Sequence, residues 1–159
     1  MTVRFYMIDR INEICPEQYI EAVKCVSMSE DVFNEHFPGF PVFPGSLILE
    51  GMAQMGGLFI EFCLRRRGLK EKRAALTMVN RMKYREMVRP GDRLDYRGTV
   101  KVFYPDDGYA VLMVEAKCGE KLCAEGELMF GFLDVMDEKM KHANDALMEL
   151  AFTNVKIVE

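Results

Sequence analysis

The feature that most constrains the fold of this sequence is residues 36–57, which read HFPGFPVFPGSLILEGMAQMGG. A loop rich in proline and glycine leads directly into an apolar segment, which predicts a helix over residues 46–66. Residues 65–67 are all arginine, which suits a helix C-terminus because cations interact favourably with the helix dipole there, and Gly68 provides a stop. Because apolar residues surround this helix on nearly every side, it must be enclosed by the rest of the chain.

Alternation of apolar and polar residues after the helix predicts strands. It is cleanest over residues 93–104, between the turn sequences Pro90-Gly91-Asp92 and Pro105-Asp106-Asp107-Gly108. Before the helix, residues 3–8 and 19–26 predict two short strands, and Ser29 is expected to cap a helical turn over residues 31–33. The strands expected after the helix cover residues 74–84, 93–104, 110–116 and 122–132, and their connections predict an antiparallel meander.

A sheet with one apolar face and a helix without a polar face can bury each other. The sequence therefore predicts an α+β protein of the hot-dog type, in which a curved antiparallel sheet wraps around one long central helix. The length of 159 residues suits one domain. We expect residues 1–135 to form that domain and residues 136–159 to form a helical C-terminal extension, which docks through Met140, Leu147 and Leu150.

Composition and charge exclude several classes of function. A net charge of −4 argues against nucleic acid as a partner, because phosphate binding needs a basic surface. The five cysteines form no CxxC pair, which favours free thiols in a reducing cytoplasm over disulfides or a zinc site. The longest apolar run, residues 47–64, contains three polar side chains, and the first residues do not fit a signal peptide. We therefore expect a soluble cytoplasmic protein without a membrane span or a zinc site.

Two residues in the central stretch are unusual for their surroundings. Glu50 is the only charge between Leu47 and Ile60, and its neighbour one turn later is Gln54 rather than a cation. A glutamate that reaches solvent or a partner chain explains this position as well as a functional acid does. His36 lies in a stiff loop that can fold back towards the helix start, although ordinary loop hydrogen bonds would explain it too.

The start of the helix supplies the other groups that chemistry at this place would need. The amides of Gly45 and Ser46 have no partner within the helix and point outward. A base, an acid and amide donors are the groups required to remove a proton next to a carbonyl. The second histidine, His142, lies in a polar stretch and is expected to be exposed and inert.

Two consecutive motifs carry a specific resemblance. Residues 36–45 read His-Phe-Pro-Gly-x-Pro-x-x-Pro-Gly, and residues 47–54 read Leu-Ile-Leu-Glu-x-Met-Ala-Gln. Together they resemble the (3R)-hydroxyacyl-acyl carrier protein dehydratases of fatty acid synthesis. Residues 6–11, 88–94 and 123–128 resemble the first strand, the Pro-Gly-Asp turn and the closing strand of that family, so the likeness covers most of residues 3–134.

The resemblance implies a role for each residue of the motif. His36 would be the base that takes the C2 proton of a 3-hydroxyacyl thioester, and Glu50 of the partner subunit would protonate the departing hydroxyl. The Gly45 amide would polarise the thioester carbonyl, and Gln54 would hold Glu50 in place. Phe37 and Pro44, in the same motif, complete the expected oxyanion and substrate-binding set. The related branch that also isomerises the double bond carries Asp at the position of Glu50, so this chain is expected to dehydrate without isomerising.

The resemblance also implies a reaction that needs no metal or organic cofactor, and it implies partners. The family forms homodimers, often assembled further into hexamers as trimers of dimers, and acts on acyl carrier protein thioesters. The basic residues Arg65, Arg66, Arg67, Lys70 and Lys72 could dock the acidic carrier, although a solvated helix end explains them equally.

Three glycines inside the predicted helix require a further explanation. Gly51, Gly56 and Gly57 each cost about 1 kcal/mol of helix stability relative to alanine. We expect a close approach by the sheet, a partner helix or an acyl ligand. The resemblance implies an acyl chain along the helix interface, with Gly51, Met55 and Gly56 as the expected lining of that tunnel. An acyl thioesterase and a non-catalytic acyl-binding subunit remain alternatives, because one fold hosts many functions.

Overall fold

The structure is a computed structural model that describes residues 5–135 and 137–159, with residues 140, 141, 143, 144 and 147 described by their backbone alone. A seven-stranded sheet packs against one long helix, α1 (Gly45–Arg66), which confirms the predicted α+β architecture. A short 3-10 helix, Asp31–Asn34, precedes the loop to α1, and a second helix, α2 (Glu138–Ala151), follows the last long strand. The strands are β1 (Arg10–Cys15), β2 (Tyr19–Cys25), β3 (Lys72–Tyr84), β4 (Arg93–Tyr104), β5 (Tyr109–Cys118), β6 (Lys121–Asp134) and β7 (Lys156–Ile157).

The order of the strands is β3-β6-β5-β4-β2-β1-β7. The predicted meander is confirmed for β4, β5 and β6, but β3 pairs with β6 and lies at the edge of the sheet instead of beside β4. The turn at residues 90–92 explains the difference, because its hydrogen bonds go to Val26 at the end of β2. Residues 85–92 therefore carry the chain from one side of the sheet to the other, and no strand in the described part of the chain pairs with the outer edge of β3.

The helix α1 is buried against strands β2 to β6, as its apolar sequence predicts. It is long and apolar enough to cross a membrane by length and composition alone, yet two thirds of its most apolar 18-residue stretch is buried inside this fold. A Cβ on Gly51 would lie 2.5 Å from the Tyr96 hydroxyl, and one on Gly56 would lie 2.8 Å from the Phe130 ring. The sheet therefore approaches these two glycines, and Met55 is fully buried, so the predicted tunnel lining by these three residues is wrong.

The N-terminal segment also differs from its prediction. Residues 3 and 4 lie outside the described part of the chain, and residues 5–8 form no strand. The Gln54 side chain accepts a hydrogen bond from the Met7 amide and donates one to the Phe5 carbonyl, both at 2.9 Å, so this backbone bonds to α1 rather than to the sheet. The first strand starts later, at Arg10. Ser29 bonds the Ser27 hydroxyl and does not cap the 3-10 helix, which starts after Glu30.

The C-terminal residues pack on both the helix and the sheet. Asp137 caps α2 by accepting a hydrogen bond from the Lys139 amide at 2.8 Å. The buried side chains of α2 include Met148 and Ala151, whereas Leu150 is 58% exposed, so its predicted docking is wrong. The predictions for Met140 and Leu147 fall on side chains outside the description. After α2, strand β7 pairs in parallel with β1 and lengthens that edge of the sheet.

Candidate active site

The loop that joins the 3-10 helix to α1 holds His36 in a defined orientation. The His36 amide donates to the Val32 carbonyl at 2.9 Å, and the Val42 amide donates to the His36 carbonyl at 3.0 Å. The peptide bond between His36 and Phe37 is cis, and the two rings stack with centroids 4.2 Å apart. The imidazole is half-buried, so it is anchored on one side and accessible on the other.

The ring nitrogens of His36 have different roles because of one hydrogen bond. Nδ1 lies 2.7 Å from the Val42 carbonyl oxygen. A carbonyl only accepts, so Nδ1 must carry the proton, and in the neutral ring Nε2 then has a free lone pair. This tautomer is the one that a general base needs.

The start of α1 is shaped by Pro44 and Gly45. Pro44 is buried at the N-cap, and its carbonyl accepts hydrogen bonds from the Leu47 and Ile48 amides. A Cβ on Gly45 would lie 2.8 Å from the Tyr84 ring, which leaves room for no side chain there. The N-terminal end of α1, with its partial positive charge, therefore lies against the Tyr84 ring. Burial there raises the pKa of the Tyr84 hydroxyl.

Glu50 and Gln54 lie one turn apart on α1 and bond each other. Gln54 Nε2 donates to Glu50 Oε1 at 2.9 Å, and the same amide holds Phe5 and Met7 of the N-terminal segment. Glu50 is half-buried. Its carboxylate therefore has a fixed position, which is set by a side-chain amide that two further hydrogen bonds hold in place.

A groove of about 240 Å³ runs from Glu50 along α1 towards β3. Its lining consists of Glu50, Ala53, Gln54, Gly57, Leu58, Glu61, Ala74, Leu76 and Phe130. His36 does not contribute to it, so within one chain the structure brings Glu50 and Gln54 together but leaves His36 outside their groove. Gly57 lines the groove in place of the glycines predicted to line the acyl tunnel, and the nearest described atoms to a Cβ placed on it lie 3.9 Å away.

A larger cavity of about 730 Å³ lies elsewhere, on the face of the sheet that points away from α1. Charged side chains such as Arg97, Lys101, Glu115 and Glu127 line it. It shares no residue with the motif around His36 and Glu50. We therefore place the candidate site in the smaller groove, which contains the acid.

The basic cluster at the end of α1 is mostly engaged within the chain. Arg65 pairs with Asp145 at 2.5 Å, Arg67 with Glu17 at 2.6 Å, and Lys72 with Asp134 at 2.8 Å. Arg66 lies over the Phe62 ring. These contacts weaken the cluster as a docking surface, because cations that already have partners attract an acidic protein less strongly.

Sequence reasoning missed Val42, Tyr84 and the segment 5–7 as parts of the site. Val42 contributes a backbone carbonyl, for which side-chain identity carries no signal. Tyr84 reaches Gly45 only through the fold, from 39 residues further along the chain. In the described part of the chain, no group of three His, Cys, Asp or Glu residues is arranged to hold a metal ion.

The sequence is similar to known proteins over most of its length. The model of the FabA-like domain matches residues 2–127. The 3-hydroxyacyl-[acyl-carrier-protein] dehydratase FabZ of Campylobacter hominis is 38% identical over 130 residues, which cover 82% of this chain and 88% of the relative. The FabZ of Protochlamydia amoebophila is 40% identical over 131 residues, with 82% and 81% covered. The chain belongs to the FabZ family.

Solved structures confirm the hot-dog fold of this FabZ-family chain. The dehydratase heterocomplex ApeI:P from Xenorhabdus doucetiae has a TM-score of 0.66 at 16% identity, with 91% of this chain and 93% of that chain covered. A hot-dog-like protein from Thermanaerovibrio acidaminovorans has a TM-score of 0.63 at 19% identity, with 83% and 93% covered. A thioesterase from Haemophilus influenzae has a TM-score of 0.59 at 20% identity, with 77% and 76% covered. At these identities the likeness concerns the fold alone.

Proposed function

We propose that this protein is a dehydratase that removes water from 3-hydroxyacyl thioesters of an acyl carrier protein and forms trans-2-enoyl thioesters. The observation that carries the proposal is the hydrogen bond from His36 Nδ1 to the Val42 carbonyl, which leaves Nε2 as a base within the motif of a FabZ-family chain. The relatives' names give the substrate class.

In the proposed reaction, His36 Nε2 takes a proton from C2 of the thioester. The electron pair left on C2 forms the C2–C3 double bond as the C3–O bond breaks, and Glu50 gives its proton to the departing hydroxyl to make water. The C2 proton is weakly acidic, so charge that develops on the thioester oxygen must be stabilised by the Gly45 amide. Such a donor is worth on the order of 3 kcal/mol in the transition state.

We assign Glu50 of each site to a second copy of the chain. Three observations support a dimer formed through β3. Among residues 5–135 and 137–159 no strand pairs with the outer edge of β3, its side chains Leu76, Met78 and Val79 are 40–54% exposed, and the groove that contains Glu50 opens on the same side. An exposed apolar edge strand is a template for pairing with another chain. Two copies joined there would bring the loop of one protomer towards the groove of the other.

The proposal also assigns roles to the other residues of the motif and names the carrier and the assembly. Gln54 orients Glu50, while Phe37 and Pro44 shape the walls beside His36. The carrier is an acidic protein, the reaction takes place in the cytoplasm, and assembly beyond the dimer would make a hexamer. Glu50 in place of Asp favours dehydration without movement of the double bond.

The test is hydration and dehydration of carrier-bound thioesters, followed at the absorbance of the enoyl group. We expect His36→Ala and Glu50→Gln each to lose on the order of 10²–10⁴-fold in kcat, with unchanged melting temperature. His142→Ala, which removes the exposed second histidine, is the control and should retain full activity. Undiminished activity in either site variant contradicts the mechanism. Release of free thiol instead of water would identify a thioesterase.

A further inference from the structure

Glu61 is the lining residue of the groove that lies farthest along α1 from Glu50, and it belongs to a buried charged pair. Glu61 is only 5% exposed, although it carries a carboxylate and lies on the groove wall. Its Oε1 accepts a hydrogen bond from the Ala74 amide at 3.1 Å, and its Oε2 lies 4.0 Å from Arg73 Nε. The Arg73 side chain is 12% exposed and also donates to the backbone carbonyls of Lys70 and Lys72. The pair is therefore fixed to the backbone of β3 and of the segment before it.

The C-terminal extension places a second carboxylate, that of Asp145, close enough to Arg73 for the two charges to interact. Asp145 of α2 accepts a hydrogen bond from Arg65 Nη2 at 2.5 Å, and Arg65 follows Glu61 by one helical turn. Arg65 and, more weakly, Arg73 hold the pKa of Asp145 below its usual value. Phe152 at the end of α2 stacks on Phe62 with ring centroids 5.4 Å apart. The family model ends at residue 127, so this contact is made by a part of the chain outside the matched region.

The groove between the acid and the charged pair is apolar. Its walls there are Ala53, Gly57, Leu58, Leu76 and Phe130. Glu50 and Glu61 are eleven residues apart on one helix, which corresponds to about 16 Å along its axis. A hydrocarbon chain suits such walls, whereas a chain that reached further would have to displace charges that are already paired and out of water.

We propose that Glu61 and Arg73, with the carboxylate of Asp145 close to Arg73, form an end wall that limits the length of the acyl chain this protein accepts. The inference rests on the proposed function, because it assumes that the acyl chain runs from Glu50 along this groove. It makes Glu61 and Arg73 residues that determine specificity without taking part in the chemistry.

The test compares kcat/KM for carrier-bound 3-hydroxyacyl substrates of graded chain length. We expect activity of the unmodified protein to fall steeply once the chain reaches the wall. The variant Glu61→Ala with Arg73→Ala should raise the ratio of long-chain to short-chain kcat/KM by about tenfold or more, with short-chain kcat/KM nearly unchanged. Both residues are changed together because removal of one would leave the other charge buried and unpaired.

The matched control is Lys101→Ala with Glu127→Ala, which removes an ion pair from two other strands on the opposite face of the sheet. It should leave the length profile unchanged. A second variant, Asp145→Asn, loosens the wall from α2 without touching the groove, and it should shift the profile in the same direction by a smaller factor. This variant keeps the test decisive if the double variant does not fold.

The outcomes separate the two proposals. An unchanged length profile in a folded double variant, or in Asp145→Asn when the double variant does not fold, overturns the end wall and leaves the dehydratase proposal standing. Absence of turnover with every chain length overturns the dehydratase proposal. The end wall is then decided by the rise in melting temperature on addition of saturated acyl pantetheine thioesters of graded length. That rise should stop at a longer chain in the double variant than in the unmodified protein, and an identical limit contradicts the wall.

Discussion

Single glycines of α1 differ in what surrounds them, and the difference predicts opposite effects of the same substitution. A Cβ on Gly51 would meet the Tyr96 hydroxyl at 2.5 Å and the Met7 carbonyl at 2.8 Å. For a Cβ on Gly57, the nearest atoms of the described residues are 3.9 Å away. We expect Gly51→Ala to destabilise the protein by about 1–3 kcal/mol through overpacking. Gly57→Ala should stabilise it by up to about 1 kcal/mol because alanine favours helix. Denaturant unfolding of both variants measures this, and equal effects would contradict the packing of Gly51.

The five cysteines differ in their exposure to solvent. Cys25 is exposed, and Cys15 and Cys123 are buried. Burial raises the pKa of the Cys63 thiol to about 11, and burial together with the Cys123 thiol raises the pKa of Cys118 to about 12. Since the thiolate is the reactive form, we expect one thiol per chain to react rapidly with a disulfide reagent at pH 8. Cys25→Ser should abolish that fast phase, and its persistence would contradict the assignment.

At the scale of elements, sequence patterns predicted what depends on periodicity and missed what depends on distant partners. The helix over residues 46–66 and the strand over residues 19–26 are confirmed within one residue at each end, since their patterns are local. The strand predicted over residues 3–8 failed because Gln54, 47 residues after Met7, binds that backbone. The candidate site follows the same rule. The motif predicted where Glu50 and Gln54 lie, but the carbonyl of Val42 that orients His36 became visible only in three dimensions.

The turn between β1 and β2 is tied to the end of α1 by an ion pair. Arg67 binds both carboxylate oxygens of Glu17, which lowers the pKa of that carboxyl from 4.5. A lowered pKa in the folded state means that the stabilisation is complete above pH 4.5 and is lost as the pH falls through the folded-state value. We expect Glu17→Gln to cost less than about 1 kcal/mol at pH 7, because the pair is partly exposed.

The measurement for this pair is the melting temperature of both proteins at a series of pH values. The difference between unmodified protein and Glu17→Gln should be constant above pH 4.5 and should vanish at lower pH. Salt should reduce the difference at neutral pH, because exposed charges are screened. A difference that grows on acidification would have the wrong sign for an ion pair.

At the scale of the whole molecule, one chain contains every group of the proposed chemistry and yet separates them. Glu50 and Gln54 line the groove, and His36 lies in a loop outside it. The exposed edge of β3 borders the same groove. A twofold dimer through that edge would be isologous, so each protomer would give its loop to one site and its groove to the other.

This arrangement predicts complementation between two inactive variants. If His36→Ala and Glu50→Gln are mixed under conditions that exchange subunits, a mixed dimer has one site with both intact residues and one with neither. Random exchange makes half of the dimers mixed, so activity should return to about a quarter of the unmodified level. Sites built within one chain would give no recovery.

A second mixture also distinguishes sites that span two protomers from sites within one chain, and it controls for subunit exchange. In this mixture, equal amounts of the unmodified chain and of a chain with both substitutions exchange subunits. If each site spans two protomers, both sites of every mixed dimer contain one substituted residue and are inactive. Activity should then fall to about a quarter of that of the unmodified dimer, whereas sites within one chain would keep about half. Because one experiment predicts a gain and the other an extra loss, incomplete exchange cannot imitate both. A mixture that retains half its activity after demonstrated exchange therefore places His36 and Glu50 of one site in the same chain.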